Sequence, residues 1–123
     1  MVSAYLTNSF MFFKDAKLQC EASFEYCKQQ NWHNIALLGV GDLADIAQLI
    51  GQSFGFSVIT ILIDNIVTGS TVKANGVEVE LSRFDAVLIT DLTNPQQSYD
   101  LIKQYIESER LLTIDLLQIS RSS

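Results

Sequence analysis

The sequence predicts an α/β domain with a parallel sheet of about four strands, an appended β-hairpin and an extra N-terminal helix. Three observations favour this fold. A buried strand, a glycine turn, a helix and a second strand follow one another between residues 35 and 64. Asn75-Gly76 lies between two short alternating runs, which is the strongest short signal for a hairpin. A third apolar run, 84–90, precedes a helix that begins at Pro95.

Residues 1–33 are predicted to form a unit of their own, a short lead-in followed by one amphipathic helix. Right-handed crossovers would place the helices at 42–54 and 95–108 on the two faces of the sheet, so this helix must pack at a sheet edge or on another chain. Its aromatic side chains are difficult to cover within so small a domain, and we therefore expect a homodimer with this helix in the interface. Packing on its own sheet is the alternative. The predicted stripe consists of Leu6, Phe10, Phe13, Lys17, Cys20, Phe24 and Cys27.

The first strand, residues 35–38, runs directly into a glycine turn with the spacing G-x-G-x-x-A. In such a turn Gly39 permits the tight bend, Gly41 lets a phosphate approach the backbone, and Ala44 lets the following helix pack closely on the sheet. The second strand ends at Asp64, about twenty residues beyond the glycines, where a carboxylate can accept a hydrogen bond from a ribose hydroxyl. The pattern is typical of nucleotide binding.

This order of strand, glycine turn, helix, strand and acid resembles the Rossmann-like nucleotide-binding domains. It is most similar to their short version, which continues through a hairpin instead of a second helix. Such short domains precede acyltransferases that act on nucleotide sugars, and others follow winged-helix regions in bacterial transcriptional regulators. The similarity covers residues 34–116, and the predicted nucleotide-binding domain is 34–123. The resemblance implies a nucleotide-type ligand, with NAD among the candidate cofactors.

The second half of the chain completes the predicted sheet. A loop at 65–70 leads to hairpin strands at 71–74 and 77–81, and a helix at 95–108 leads to a fourth strand at 111–116. Right-handed crossovers place the first strand between the second and the third, which gives the parallel order 2-1-3-4. Ligands of such sheets bind beyond the carboxyl ends of the strands where the order reverses, which here is between the first and third strands.

Two loops face each other across that predicted crevice, and they hold most of the candidate binding residues. Backbone amides of residues 40–43 would lie at a helix N-terminus, where the helix dipole favours an anion. Side chains at 90–94 could hydrogen-bond a sugar or a base. Asp42 complicates the site, because it could cap those amides itself and repel a pyrophosphate. The candidate residues are Gly39, Val40, Gly41, Asp42, Leu43, Asp64, Thr90, Asp91, Thr93 and Asn94.

The net charge of −6 lies entirely after residue 33, because acids and bases balance before it. A surface of that sign repels phosphate backbones, so direct nucleic-acid binding is not expected. The apolar runs are too short to span a bilayer and no basic leader precedes a cleavage site, which predicts a cytoplasmic protein without a membrane partner. Cys20 and Cys27 would lie about 10 Å apart on one helix face, too far for a disulfide, and are predicted to be buried.

The sequence favours binding over catalysis. His33 is the only histidine and precedes the first strand, so it is expected at the amino end of the sheet, opposite the crevice. Neither crevice loop contains Lys or Arg. We therefore expect a non-catalytic domain that binds a nucleotide, dinucleotide or nucleotide sugar for sensing or regulation. Two alternatives stay open: an accessory domain of a nucleotide-sugar enzyme, and a structural dimeric module whose glycines serve backbone geometry alone.

Overall fold

In the computed structural model, which describes residues 2–62, 66–68, 71–74 and 77–121, the chain forms three α-helices and two β-sheets. The predicted α/β class and the parallel four-stranded sheet are confirmed, and the arrangement is compatible with a Rossmann-like layout. The elements are α1 Val2–Gln29, β1 Asn34–Leu38, α2 Asp42–Ser53, β2 Ser57–Ile61, β3 Ile66–Thr68, β4 Thr71–Ala74, β5 Val77–Glu80, β6 Ala86–Ile89, α3 Pro95–Ile102 and β7 Leu111–Leu112.

The parallel sheet has the order β2-β1-β6-β7, with β1 between β2 and β6. Numbered along the whole chain this differs from the predicted 2-1-3-4, because three antiparallel strands intervene between β2 and β6. Ile35 of β1 is in register with Val58 of β2 and with Ala86 of β6. The carboxyl ends of β1 and β6 therefore lie side by side.

The predicted hairpin is part of a three-stranded antiparallel sheet, β3-β4-β5. Ala74 of β4 is in register with Val77 of β5, as a short connection requires, while the Asn75-Gly76 turn itself lies outside the described residues. The prediction of a loop over 65–70 is wrong at Ile66–Thr68, which forms β3. An added strand on a hairpin edge gives β4 a second hydrogen-bonding partner.

Alternate residues of the parallel strands face two separate cores. Ile35 and Leu37 of β1 pack with Leu88 of β6 beneath α1 and α2. Ala36 and Leu38 face the other way and pack with Val87, Ile89, Tyr99 and Ile102. The strands are thus buried on both faces, which explains their almost unbroken apolar sequences.

The C-terminal half of helix α1 packs on its own sheet beside α2. For this half of α1, the prediction that the helix must lie at a sheet edge or on another chain is wrong. Its C-terminal half buries a stripe of Ala16, Cys20, Phe24 and Cys27, all fully inaccessible to solvent. These side chains cannot also form a dimer interface, as the sequence had suggested for Cys20, Phe24 and Cys27.

The N-terminal part of α1 extends beyond this contact. The helix has 28 residues and is therefore about 42 Å long, whereas a five-residue strand such as β1 spans about 17 Å. Phe13 lies two turns before Cys20 and three before Phe24 on the same helix face, yet it is 49% exposed. Within the described residues, none of the helices combines the length and apolar character that a membrane span needs.

The last third of the chain is less regular than predicted. Helix α3 ends at Ile102 and not near Ser108, and the fourth strand is only Leu111–Leu112. The chain then turns through a 3-10 helix, Asp115–Leu117, and reverses at Gln118, which has a φ of 53°. This turn brings Ile114 and Leu117 into the cores.

Candidate functional site

Gly39 joins the ends of three parallel strands. Its amide donates to the carbonyl of Ile61 at the end of β2, at 2.9 Å. Its own carbonyl accepts from the hydroxyl of Thr90 after β6, at 2.7 Å, and the Thr90 amide donates to Leu38 at 3.0 Å. The loop of residues 39–43, the glycine loop, is therefore fixed against the loop of residues 90–94, the acid loop. The structure brings together the two loops that the sequence placed in one crevice.

The contact between the loops explains why residue 39 is glycine. Gly39 has a φ of 116°, and a β-carbon there would lie 2.6 Å from both the Cα and the N of Asp91. That distance is far below a van der Waals contact, and the atoms it would meet are backbone. Gly39 is required by the fold itself, whether or not a ligand binds.

Gly41 differs in this respect. Its φ is 134°, but the nearest atom to a β-carbon there is Leu92 Cδ1 at 4.0 Å. Gly41 is the N-cap of α2, and its carbonyl accepts from the amide of Asp45 at 3.0 Å. No side chain caps this helix end, so the predicted capping of these amides by Asp42 is not present in the described residues. Among the described residues, the first amides of α2 thus have no side-chain acceptor.

The polar groups of the acid loop serve the loop itself. One carboxylate oxygen of Asp91 accepts from the amides of Thr93 at 2.9 Å and Asn94 at 3.4 Å, and the other accepts from the hydroxyl of Ser98 at 2.7 Å. Thr90 is fully buried. Thr93 and Asn94 expose their side chains, and Asn94 is the N-cap of α3 without a side-chain bond of its own. Thr90 and Asp91 thus position the loop, whereas Thr93 and Asn94 stay accessible.

Exposed apolar side chains follow the ends of three neighbouring parallel strands. Val40, Leu62 and Leu92 follow β1, β2 and β6 respectively, and they are 61%, 39% and 41% exposed. Leu43, in contrast, lies in the first turn of α2 with its side chain fully buried in the core, and it can offer a ligand only its backbone. Asp64, the predicted ribose-binding carboxylate, lies outside the described residues.

The amino end of the sheet carries a separate polar cluster. The amides of His33 and Asn34 donate to one carboxylate oxygen of Asp85, at 2.7 and 3.0 Å. Partial burial alone would raise the pKa of Asp85, but these two bonds and the charges of Arg110 and His33 outweigh it and lower that pKa. His33 thus lies at the end of the sheet opposite the glycine loop, where it was expected.

The cysteines have the properties of core residues. Burial raises the pKa of Cys20 to about 11 and of Cys27 to about 12, so both thiols stay protonated at neutral pH. Both are free and buried, as predicted. Among the described side chains, no group of three His, Cys, Asp or Glu is arranged to hold a metal ion.

Two groups at the site were missed in the sequence. Ser98 is almost completely buried and holds the second oxygen of Asp91, and Leu92 supplies part of the apolar rim. A signal for the Asp91 turn was present, because an Asp followed by polar residues before a helix commonly accepts from the amide two positions later.

The chain matches no protein-family model, no curated protein and no solved structure.

Proposed function

We propose that the chain is a Rossmann-like domain that binds a nucleotide, a dinucleotide or a nucleotide sugar for sensing or regulation, without chemistry of its own. The observation that carries the proposal is the junction of the glycine loop and the acid loop through Gly39 and Thr90. It lies beyond the carboxyl ends of β1 and β6, where the strand order reverses. Open parallel sheets bind their ligands at this position.

The glycine loop supplies the groups for an anion. None of the described side chains caps the first amides of α2. A helix N-terminus attracts negative charge through both its dipole and its free N–H groups. A β-carbon at Gly41 would meet no described atom closer than Leu92 Cδ1 at 4.0 Å, so the described part of the fold does not exclude a side chain there. A phosphate approaching the backbone is a reason for glycine at this position, in addition to its positive φ.

The apolar rim supplies a surface for a flat ring. Val40, Leu62 and Leu92 come from three different strand ends and are each exposed by more than a third. A purine, pyrimidine or nicotinamide ring stacked on such side chains buries apolar area on both partners. Thr93 and Asn94 lie on the same loop as Leu92 and are free to hydrogen-bond a base or a sugar.

The described polar groups of the two loops are engaged in holding the loops together, which favours recognition over catalysis. The acid-loop carboxylate Asp91 is committed to three donors, and Thr90 donates to Gly39. A nucleophile requires a base within hydrogen-bond reach. The Ser98 hydroxyl donates to Asp91 at 2.7 Å, but Ser98 is only 3% exposed, so this pair supports the loop and does not face a ligand. The proposed role is therefore recognition.

A panel of NAD, NADP, ATP and UDP-sugars tests this proposal by the shift in thermal unfolding. A ligand at a hundred times its dissociation constant adds about 2.7 kcal/mol to the free energy of unfolding. Absence of stabilisation by every member of the panel would contradict the proposal. Preference for UDP-sugars over NAD and ATP would favour the accessory domain of a nucleotide-sugar enzyme.

Gly41→Val locates the ligand, and Gly55→Val is its matched control. Both glycines have a positive φ, 134° and 83°, and both have free space around an added β-carbon. The two variants therefore carry similar backbone strain, of about 1–3 kcal/mol, but only residue 41 lies at the proposed site. We expect Gly41→Val to lose at least tenfold in ligand affinity and Gly55→Val to retain it. Equal affinities would place the ligand elsewhere.

A second candidate function is a dimeric interaction module, and one observation favours it. Phe13 continues the buried stripe of α1 toward the N-terminus and remains half exposed, and Met11, on a different side of the helix, is 43% exposed. Burying a phenylalanine contributes about 1.5–3 kcal/mol. We propose that the part of α1 before Ala16 pairs with the same part of a second copy.

Phe13→Glu tests the dimer, with Leu18→Glu as its control. Leu18 is 55% exposed on the opposite side of the same helix. Light scattering across a dilution series should give a dimer for the wild type and for Leu18→Glu, and a monomer for Phe13→Glu. A wild type that is monomeric at every concentration would exclude the dimer.

A further inference from the structure

β7 is an edge strand of the parallel sheet, and a groove runs along its outer side. Leu111 and Leu112 pair with Val87 and Leu88 of β6 on the inner side. A cavity of about 460 Å³ lies along the outer side, bordered by Tyr26 of α1. An unpaired strand edge of this kind is a template for another strand.

The side chain of Arg121 covers this edge. One guanidinium nitrogen donates to the carbonyl of Leu111 at 2.8 Å and to the hydroxyl of Thr113 at 3.3 Å. The other donates to the carbonyl of Ser108 at 2.9 Å. A guanidinium is a donor only, so it occupies the acceptors that a neighbouring strand would use and offers no carbonyl in exchange.

Residues 118–121, here called the strap, hold Arg121 in this position. The backbone of Ser120 makes two hydrogen bonds with the side chain of Gln96, at 3.0 and 2.7 Å. The Arg121 guanidinium lies 5.3 Å from the centre of the Tyr99 ring. Both anchors belong to α3, so the strap crosses from α3 to the edge of β7. Arg121 and Ser120 are themselves exposed, and the strap therefore rests on the surface.

We infer that the strap is an edge guard, which keeps β7 from pairing with β7 of a second copy of this chain. Identical strands related by a two-fold axis pair in antiparallel orientation, because each presents the donors and acceptors that the other needs. The Leu111 carbonyl, which points away from β6, is one such acceptor. Arg121 blocks this pairing by taking that carbonyl. The surface is separate from the α1 segment around Phe13, so the two associations can be distinguished.

Arg121→Ala in the full chain tests the inference, with Arg83→Ala as the control for loss of an exposed positive charge. Both are made together with Phe13→Glu, which removes association through α1. We expect the Arg121→Ala protein to approach about twice the monomer mass as its concentration rises, by pairing of two copies. Hydrogen exchange at residues 111–113 should slow in the associated form. The Arg83→Ala protein should remain a monomer.

The outcome that overturns the inference is a folded Arg121→Ala protein that has the mass and the exchange pattern of its control. If Arg121→Ala fails to fold, Gln96→Ala decides the question, because it releases the other end of the strap without touching β7. A rise in mass for Gln96→Ala supports the edge guard, and an unchanged mass contradicts it. Arg121→Lys should restore the monomer only in part, since an ammonium cannot reproduce the planar fork that reaches both carbonyls.

Discussion

The glycine loop and the acid loop meet at one point but use their polar groups in opposite ways. In the acid loop, Asp91 satisfies two amides and the hydroxyl of Ser98, and Thr90 is buried. In the glycine loop, no side chain within the described part of the chain caps the first amides of α2, and Val40 is exposed. One side of the crevice is closed on itself, and the other remains open.

This difference separates the support of a site from its binding surface. A loop whose donors and acceptors are paired with each other is rigid, and it can hold a neighbouring loop without itself contacting a ligand. Gly39 is the contact through which the acid loop holds the glycine loop. Variants on the acid loop should therefore change stability first, and variants on the glycine loop should change binding first.

The largest effect is expected for Gly39→Ala. The added β-carbon would lie 2.6 Å from the Asp91 backbone in a conformation with a φ of 116°, and overpacking and strain together cost about 3–5 kcal/mol. Gly55→Ala, where the β-carbon meets free space, controls for the strain alone. Urea unfolding measures both. If Gly39→Ala and Gly55→Ala lost equal free energies of unfolding, the contact between the two loops would add nothing to stability. That result would contradict the supporting role of the acid loop.

A smaller loss is expected for Asp91→Ala. This change removes three hydrogen bonds to a carboxylate and leaves the buried hydroxyl of Ser98 without its acceptor, which costs about 2–3 kcal/mol. Asp100→Ala is the control, because Asp100 is exposed and its carboxylate makes surface contacts, with Lys103 at 3.5 Å and with Gln96 Nε2 at 3.1 Å. A double-mutant cycle with Ser98→Ala should give a coupling of about 1 kcal/mol or more. Absence of coupling would show that the bond between Asp91 and Ser98 does not stabilise the acid loop, which would contradict the supporting role of Asp91.

The smallest effect on stability is expected for Asp42→Asn. This change should destabilise the fold slightly but strengthen the binding of an anion. Asp42 is exposed at the first residue of α2, where a negative charge stabilises the helix by about 0.3–1 kcal/mol. Its removal should lower stability by that amount and strengthen the binding of pyrophosphate, used as a probe. Calorimetry at two salt concentrations measures the second effect, which should weaken as salt rises. Unchanged pyrophosphate binding would mean that the anion does not reach α2.

The strands of the parallel sheet were predictable because they are buried on both faces, and such strands have apolar sequences that need no further context. The runs at 35–38 and 84–90 identify β1 and β6 in this way. β7 was predicted too long. In the segment predicted as its second half, the Leu116 amide donates to Gln19, 97 residues away in the sequence, a contact that no local pattern indicates.

The candidate site was predictable in place but only partly in function. Strand order and crossover handedness are sufficient to bring residues 39 and 90 together. The roles of Thr90 and Asp91 were not predictable, because a polar side chain in a loop has the same sequence signature whether it binds a ligand or a neighbouring loop. The buried stripe of α1 was misjudged for a similar reason. Helical spacing relates Phe13 to Cys20 but does not say where the sheet beneath them ends.

The bond between Thr90 and Gly39 also determines when the site can form during folding. It joins residues that are 51 positions apart in the sequence, whereas β1 and β2 are linked by the single helix α2. Closing the shorter loop is entropically easier, so we expect β1, α2 and β2 to associate first and β6 to join later. Pulse-labelling hydrogen exchange should then protect the amides of β1 and β2 before that of Thr90. Until β6 arrives, the glycine loop lacks the support of the acid loop, and the chain exposes an apolar strand edge on β1.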